Sequence, residues 1–155
     1  MVDTFQFPPE LMFNRSPIAD PAGYSLDRGC ASWLYLNGPE FAAMPGGMSY
    51  DQVQDAVPVS ANVISDPPRV LDADLARQQV AALDQLPRPT LVSCRAGPRS
   101  SAVAYMYAGL RASASPEDVV AAVERDQAPC ATFDDLKGWI SESIRTLRAE
   151  EGSPA

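Results

Sequence analysis

The sequence predicts an α/β domain of three layers, with a mainly parallel central sheet and helices on both of its faces. Three observations predict it. Short apolar runs over 32–36, 57–64 and 90–93 alternate with helical periodicity over 73–86 and 99–111. Many of the 15 prolines punctuate these runs. The length of 155 residues suits one domain with one core, spanning 1–155 with an ordered part of about 11–148.

Residues 1–23 carry Pro8, Pro9, Pro17 and Pro21 and are expected to be mostly extended or turn-like, with a short strand at 11–13. Ser32-Trp33-Leu34-Tyr35-Leu36 ends at the turn signal Asn37-Gly38-Pro39 and reads as a buried strand. Pro45-Gly46-Gly47 marks a loop, and 49–56 a short helix. The valines and isoleucine of 57–64 read as a second buried strand, stopped by Asp66-Pro67-Pro68. Asp72 caps a helix over 73–86, with Leu75, Ala76, Val80 and Leu83 on its apolar stripe. Thr90-Leu91-Val92-Ser93 is a third strand leading straight to Cys94. Residues 99–111 are apolar almost all round, which predicts a central, buried helix. Ser115-Pro116-Glu117-Asp118 starts the next helix with a cap, a proline and first-turn acids. Thr132-x-x-Asp135 starts the last, whose stripe is Phe133, Leu136, Ile140, Ile144 and Leu147, and the tail from Glu150 is expected to fray.

Composition narrows the chemistry. The chain has no histidine, so Ser-His-Asp and Cys-His pairs and His-ligated zinc or iron are excluded. No metal or cofactor is expected. Lys137 is the sole lysine among 12 basic residues against 20 acidic ones, giving a net charge of -8. That balance argues against a general nucleic-acid binder, which needs a basic surface to release counterions. No run approaches the ~18 apolar residues of a membrane span, and the first residues show no secretory signal. Cys30, Cys94 and Cys130 are too few and too scattered for a disulfide framework, so a reducing, cytoplasmic location is expected.

The informative stretch is Ser93-Cys94-Arg95-Ala96-Gly97-Pro98-Arg99-Ser100-Ser101. It joins a buried strand to a buried helix, at the sheet end where α/β proteins bind ligands. The first turn of the helix presents free N–H groups and the positive end of its dipole, so the loop forms a nest for an anion. Gly97 permits a backbone angle closed to other residues, and Pro98 stiffens the loop. Arg99 offers bidentate donors to an oxyanion. A thiol at the mouth of such a nest carries charge more readily than a free one and is a good nucleophile. The plainer alternative is a buried cysteine in an ordinary turn; the coincidence of cysteine, glycine, arginine and two serines favours the functional one.

The loop resembles two cysteine-based families. One is the protein tyrosine and dual-specificity phosphatases, whose signature is His-Cys, five residues, then Arg-Ser/Thr. The other is the rhodanese sulfurtransferases, which often carry Cys-Arg-x-Gly-x-Arg-Ser. The strongest overall resemblance is to the bacterial beta-lactamase-hydrolase-like phosphatase domains, whose loop runs Cys-Arg-Ser/Thr-Gly-Thr-Arg-Ser. Met12 to Pro17 is similar to that family's first strand, 33–37 to its second and 110–122 to its segment after the catalytic helix; the coverage is about residues 11–145. A rhodanese continues after its loop helix with a strand and a Gly-Gly turn, whereas here helix follows helix. Two departures stand out: Ser93 replaces the phosphatase histidine, and four residues rather than five separate Cys94 from Arg99. The short spacing pulls toward sulfur chemistry, and the beta-lactamase-hydrolase-like loop shares it.

The resemblance implies a phosphatase in which Cys94 attacks phosphorus. The amides of 95–100 and the Arg99 guanidinium then stabilise the transition state, and Ser100 bonds the departing thiolate. Arg95, Ala96, Gly97, Pro98 and Ser101 complete the anion loop. Asp66, after the second strand, is the candidate general acid, with a turn role as the alternative. Asp72 and Asp74 read as a cap and a first-turn acid. The alternatives are a sulfurtransferase with a persulfide on Cys94, steered by Arg95 and Arg99, and a non-catalytic phosphate-binding module. Cys30 and Cys130 could resolve an oxidised Cys94 but read as small buried hydrophobes. Trp33 and Trp139 read as core anchors, and one of Tyr105 and Tyr107 is a candidate to line the pocket. The expected partner is a small phosphorylated or anionic substrate, or a phosphoprotein, with neither nucleic acid nor membrane.

Overall fold

The structure, a computed structural model, describes residues 5–45, 47–66 and 70–152, with Asp66 described in its backbone alone. Four strands form one sheet: β1 (Leu11–Phe13), β2 (Ser32–Asn37), β3 (Val59–Asp66) and β4 (Thr90–Ser93). Their order is β1-β4-β2-β3 and every pairing is parallel. The carboxyl ends of β1, β2 and β4 therefore share one edge of the molecule. Phe13 lies beside Val92 and Tyr35 beside Ser93, so Asn14 and Cys94 leave the sheet as neighbours.

Strand alternation divides the core in two. Trp33, Tyr35 and Leu91 face α1 (Pro21–Arg28) and α2 (Tyr50–Ala56), packing with Ile18, Phe41, Met48 and Val53. Leu34, Leu36, Val92 and Cys94 face the larger layer of α3 (Ala73–Gln85), α4 (Pro98–Arg111), α5 (Pro116–Arg125) and α6 (Asp134–Glu151). Helix α4 lies at the centre of that layer and is buried from Ser100 through Leu110. Gly109 lets its neighbours close in, because a Cβ there would meet Val119 Cγ2 at 2.3 Å. Trp33 and Trp139 are both buried. Among the described residues no helix is long and apolar enough to cross a membrane.

The three-layer expectation holds, with local corrections. Residues 21–28 are helical: Asp20 caps the amide of Gly23 and Pro21 takes the first position. β3 is an edge strand and not a buried one, with Val59 40% and Ile64 44% exposed. Thr132 belongs to a short 3-10 turn, Pro129–Thr132, and α6 starts at Asp134 without a side-chain cap. Phe133 is not on the buried stripe of α6 but 44% exposed. The last helix runs on through Glu151.

Candidate active site

Cys94 is the first residue beyond β4 and only 3% exposed. Cys94 to Gly97 make the loop, and α4 begins at Pro98. Gly97 sits at φ +116°, where a side chain is strained, and a Cβ there would lie 2.4 Å from the Asn14 carbonyl oxygen. With that turn made, two amides point at the sulfur: Gly97 N–H at 3.2 Å and Ser100 N–H at 3.3 Å. Both hydrogen-bond the sulfur where the first turn of α4 begins. Pro98 occupies the first helical position and has no N–H, so the expected set of amides over 95–100 lacks this one.

One residue absent from the expectations organises the loop. Asn14, fully buried, donates through Nδ2 to the Cys94 carbonyl at 2.8 Å and to the Ser16 carbonyl at 3.1 Å. Its Oδ1 accepts from the Cys94 amide at 3.2 Å and the Ser100 hydroxyl at 2.7 Å. The Ser100 hydroxyl is itself 3.5 Å from Sγ. Ser101 points elsewhere: its hydroxyl donates to the Pro98 carbonyl at 3.0 Å and accepts from the Cys130 amide at 3.1 Å. One step along a helix turns a side chain by about 100°, which takes Ser101 off the anion face. Ser93 faces the opposite side of the sheet from Cys94 and accepts from Trp33 Nε1 at 2.8 Å.

Above the sulfur opens a cleft of about 340 Å³. Cys94, Ala96 and Pro98 line it, with Arg95 and Arg99 as its basic residues. Leu71, Phe133 and Leu136 make an apolar wall, and Asp135 adds one carboxylate. Arg99 Nη1 donates to the Val70 carbonyl at 3.1 Å, which ties the segment following β3 to the loop and leaves further guanidinium donors for an anion. Asp66 ends β3, its backbone paired in register with Asn37 at the carboxyl edge of the sheet. Its side chain lies outside the described residues, as do Pro67, Pro68 and Arg69.

The remaining candidates fall away from the cleft. Asp72 caps α3 through the Leu75 amide, and Asp74 pairs with Arg77. Tyr105 bonds Asp126 at 2.7 Å and Tyr107 bonds Asp84 at 2.6 Å, so neither tyrosine lines the pocket. All three cysteines are free thiols. Burial pushes the Cys130 and Cys30 thiols up, which makes both poor nucleophiles. The sequence placed Phe133 on the apolar stripe of the last helix, and nothing in it pointed to the cleft. Asn14 was a lone polar residue after a three-residue strand, and no sequence signal set β1 beside β4.

No family model matches the sequence, and no curated protein matches it either. Solved structures do. A mutant form of Tk-PTP is 14% identical, with a TM-score of 0.71 over 93% of this chain and 95% of that one. PTPMT1 is 17% identical, with a TM-score of 0.64 over 95% and 98%. The core catalytic domain of SIW14, a PP-IP phosphatase of S. cerevisiae, is 14% identical, with a TM-score of 0.58 over 97% and 93%. The chain has the fold of the cysteine-based phosphatases of the protein tyrosine phosphatase type.

Proposed function

We propose that this protein is a cysteine-dependent phosphatase that hydrolyses a phosphomonoester through a phospho-enzyme on Cys94. The observation that carries the reading is the pair of amides aimed at Sγ, at the base of a cleft that Arg99 borders. The Cys94 thiolate attacks phosphorus. An S–P bond forms as the ester P–O bond breaks, and the leaving oxygen takes a proton from a general acid. Water then attacks phosphorus, the S–P bond breaks and the thiolate returns, while the acid recovers its proton from that water. Arg95, Ala96 and Arg99 line the cleft in which the phosphoryl group is bound, and the Arg99 guanidinium stabilises the charge on its oxygens. Arg95, exposed at the rim, draws the anion in. The Ser100 hydroxyl, 3.5 Å from Sγ, supports the thiolate as it leaves.

Asp66 is the proposed acid. Its place at the carboxyl end of β3, with Val70 returning to Arg99 four residues on, supports this reading. The substrate is a small phosphorylated compound, and the wall of Leu71, Phe133 and Leu136 suits an ester with an apolar body. PTPMT1 has been solved with PI(5)P and SIW14 with citrate, which supports an anionic ligand for a cleft of this fold. Three free thiols suit a reducing compartment, for which we take the cytoplasm. We take the chain as one domain because the six α-helices of the described residues pack about one sheet.

The test is a paired assay of wild type and Cys94→Ser. One arm supplies an aryl phosphate, the other thiosulfate with a sulfur acceptor. The expected result is Cys94-dependent phosphate release without sulfur transfer, and the reverse result overturns the reading. Asp66→Asn tests the acid: turnover of a substrate with a poor leaving group is expected to fall, and unchanged turnover removes Asp66 from the mechanism.

A further inference from the structure

We infer that Asn14 is a positioning residue for the Cys94 nucleophile, doing through one buried amide what an imidazole cannot do in a chain without histidine. The inference rests on the phosphatase reading of the same site and adds the device that aims its sulfur.

An asparagine side chain has two N–H donors and two acceptor lone pairs. All four are used here. The donors go to Cys94 O and Ser16 O, and the lone pairs take Cys94 N–H and the Ser100 hydroxyl. One amide thus grips the nucleophile's residue by both of its backbone groups, across 80 positions of sequence. A buried amide is costly unless its partners are complete, and this one is complete only because it holds the loop. The backbone of Asn14 joins in, since its carbonyl oxygen closes on Gly97 too tightly for any Cβ.

The contact with Ser100 goes beyond scaffolding. A hydroxyl has one proton. At 2.7 Å from Oδ1, against 3.2 Å from the Gly97 carbonyl, it goes to Asn14, while Sγ waits at 3.5 Å. When charge returns to the sulfur, the hydroxyl can rotate toward it, and Asn14 sets the ease of that exchange. Asn14 therefore governs both the direction of Sγ and one of the hydrogen bonds available to its charged form.

The experiment compares wild type, Asn14→Ala and Asn14→Asp. It reads kcat and KM for p-nitrophenyl phosphate, the rate of Cys94 alkylation by iodoacetamide against pH, and thermal melting. Measurements are made well below the melting temperature of each variant. Asn14→Asp keeps the shape and the two acceptor contacts but cannot donate and adds a charge, so it reports on the loop if Asn14→Ala does not fold. In both variants kcat is expected to fall about 100-fold with KM within about threefold, the signature of lost alignment. For Asn14→Asp the alkylation profile is expected to move to higher pH, because a carboxylate beside Ser100 opposes charge on the sulfur. A purely structural residue would lower the melting temperature alone. Folded variants with wild-type kcat and a wild-type alkylation profile overturn the inference. Alkylation needs no phosphatase activity. If the wild type releases no phosphate, the phosphatase reading fails, while the alkylation profiles still decide the role of Asn14.

Discussion

On one face of the sheet Cys94, Val92 and Leu34 lie under four helices; on the other Ser93, Leu91 and Trp33 lie under two. Residues 93 and 94 are adjacent in sequence and point in opposite directions. On the Cys94 face, Gly97, Ser100 and Asn14 converge around one sulfur and its loop. On the other face, the hydroxyl at the same level is consumed by an indole N–H. Ser93 is thus a packing residue, and its standing where phosphatases usually keep a histidine takes nothing away from the sulfur's own contacts. The candidate site belongs to one face and packing is shared by both.

The largest expected effect tests the Cys94 face directly. Cys94→Ser should reduce phosphate release at least about 1,000-fold, because no second thiol lines the cleft among the described residues. Its melting temperature should stay near that of wild type, since the change is nearly isosteric. Gly97→Ala comes next. It forces a side chain into a positive-φ position 2.4 Å from the Asn14 carbonyl oxygen. We expect activity to drop about 100-fold and stability by about 1–3 kcal/mol, read by kcat and chemical denaturation. Wild-type activity in this variant would mean that the loop geometry is not what sustains turnover.

Ser93→Ala probes the opposite face. It leaves the buried Trp33 Nε1–H without its acceptor, so stability should fall by about 1–3 kcal/mol while kcat changes less than about threefold. A collapse of kcat with stability intact would break the separation of the faces. The smallest effect lies at the rim of the Cys94 layer. The Arg125 hydrogen bond, with help from the Tyr105 hydroxyl, holds the Asp126 carboxyl below its ordinary value. A depressed carboxyl contributes stability that is present above about pH 4 and is lost as the pH falls through its folded value. Asp126→Asn should therefore flatten the acid side of the melting profile slightly, because solvent screens this partly exposed pair.

Much of this was legible in the sequence where local chemistry decides the outcome. The proline stops, the Asp72 and Ser115 caps and the apolar run of α4 each name their element without reference to the rest of the chain. The Cys94 loop was legible for the same reason: its glycine, proline and arginine act within six residues. What escaped depends on distant contacts. Asn14 matters because β1 pairs beside β4, a register that nothing near Asn14 specifies. Phe133 shares the apolar pattern of α6, yet a 3-10 turn before the helix rotates it out to the cleft. Val59 and Ile64 look like core residues, and only the strand order makes β3 an edge. Helix α1 is a different case, since Asp20-Pro21 carried a cap signal that the density of nearby prolines outweighed.

The most direct test of the phospho-enzyme is to quench wild-type protein in acid during turnover of an aryl phosphate and map the modified peptide by mass spectrometry. A phosphoryl group is expected on Cys94, accumulating in wild type and absent from Cys94→Ser. Phosphate release that persists in Cys94→Ser, or turnover that never places phosphorus on Cys94, would contradict it.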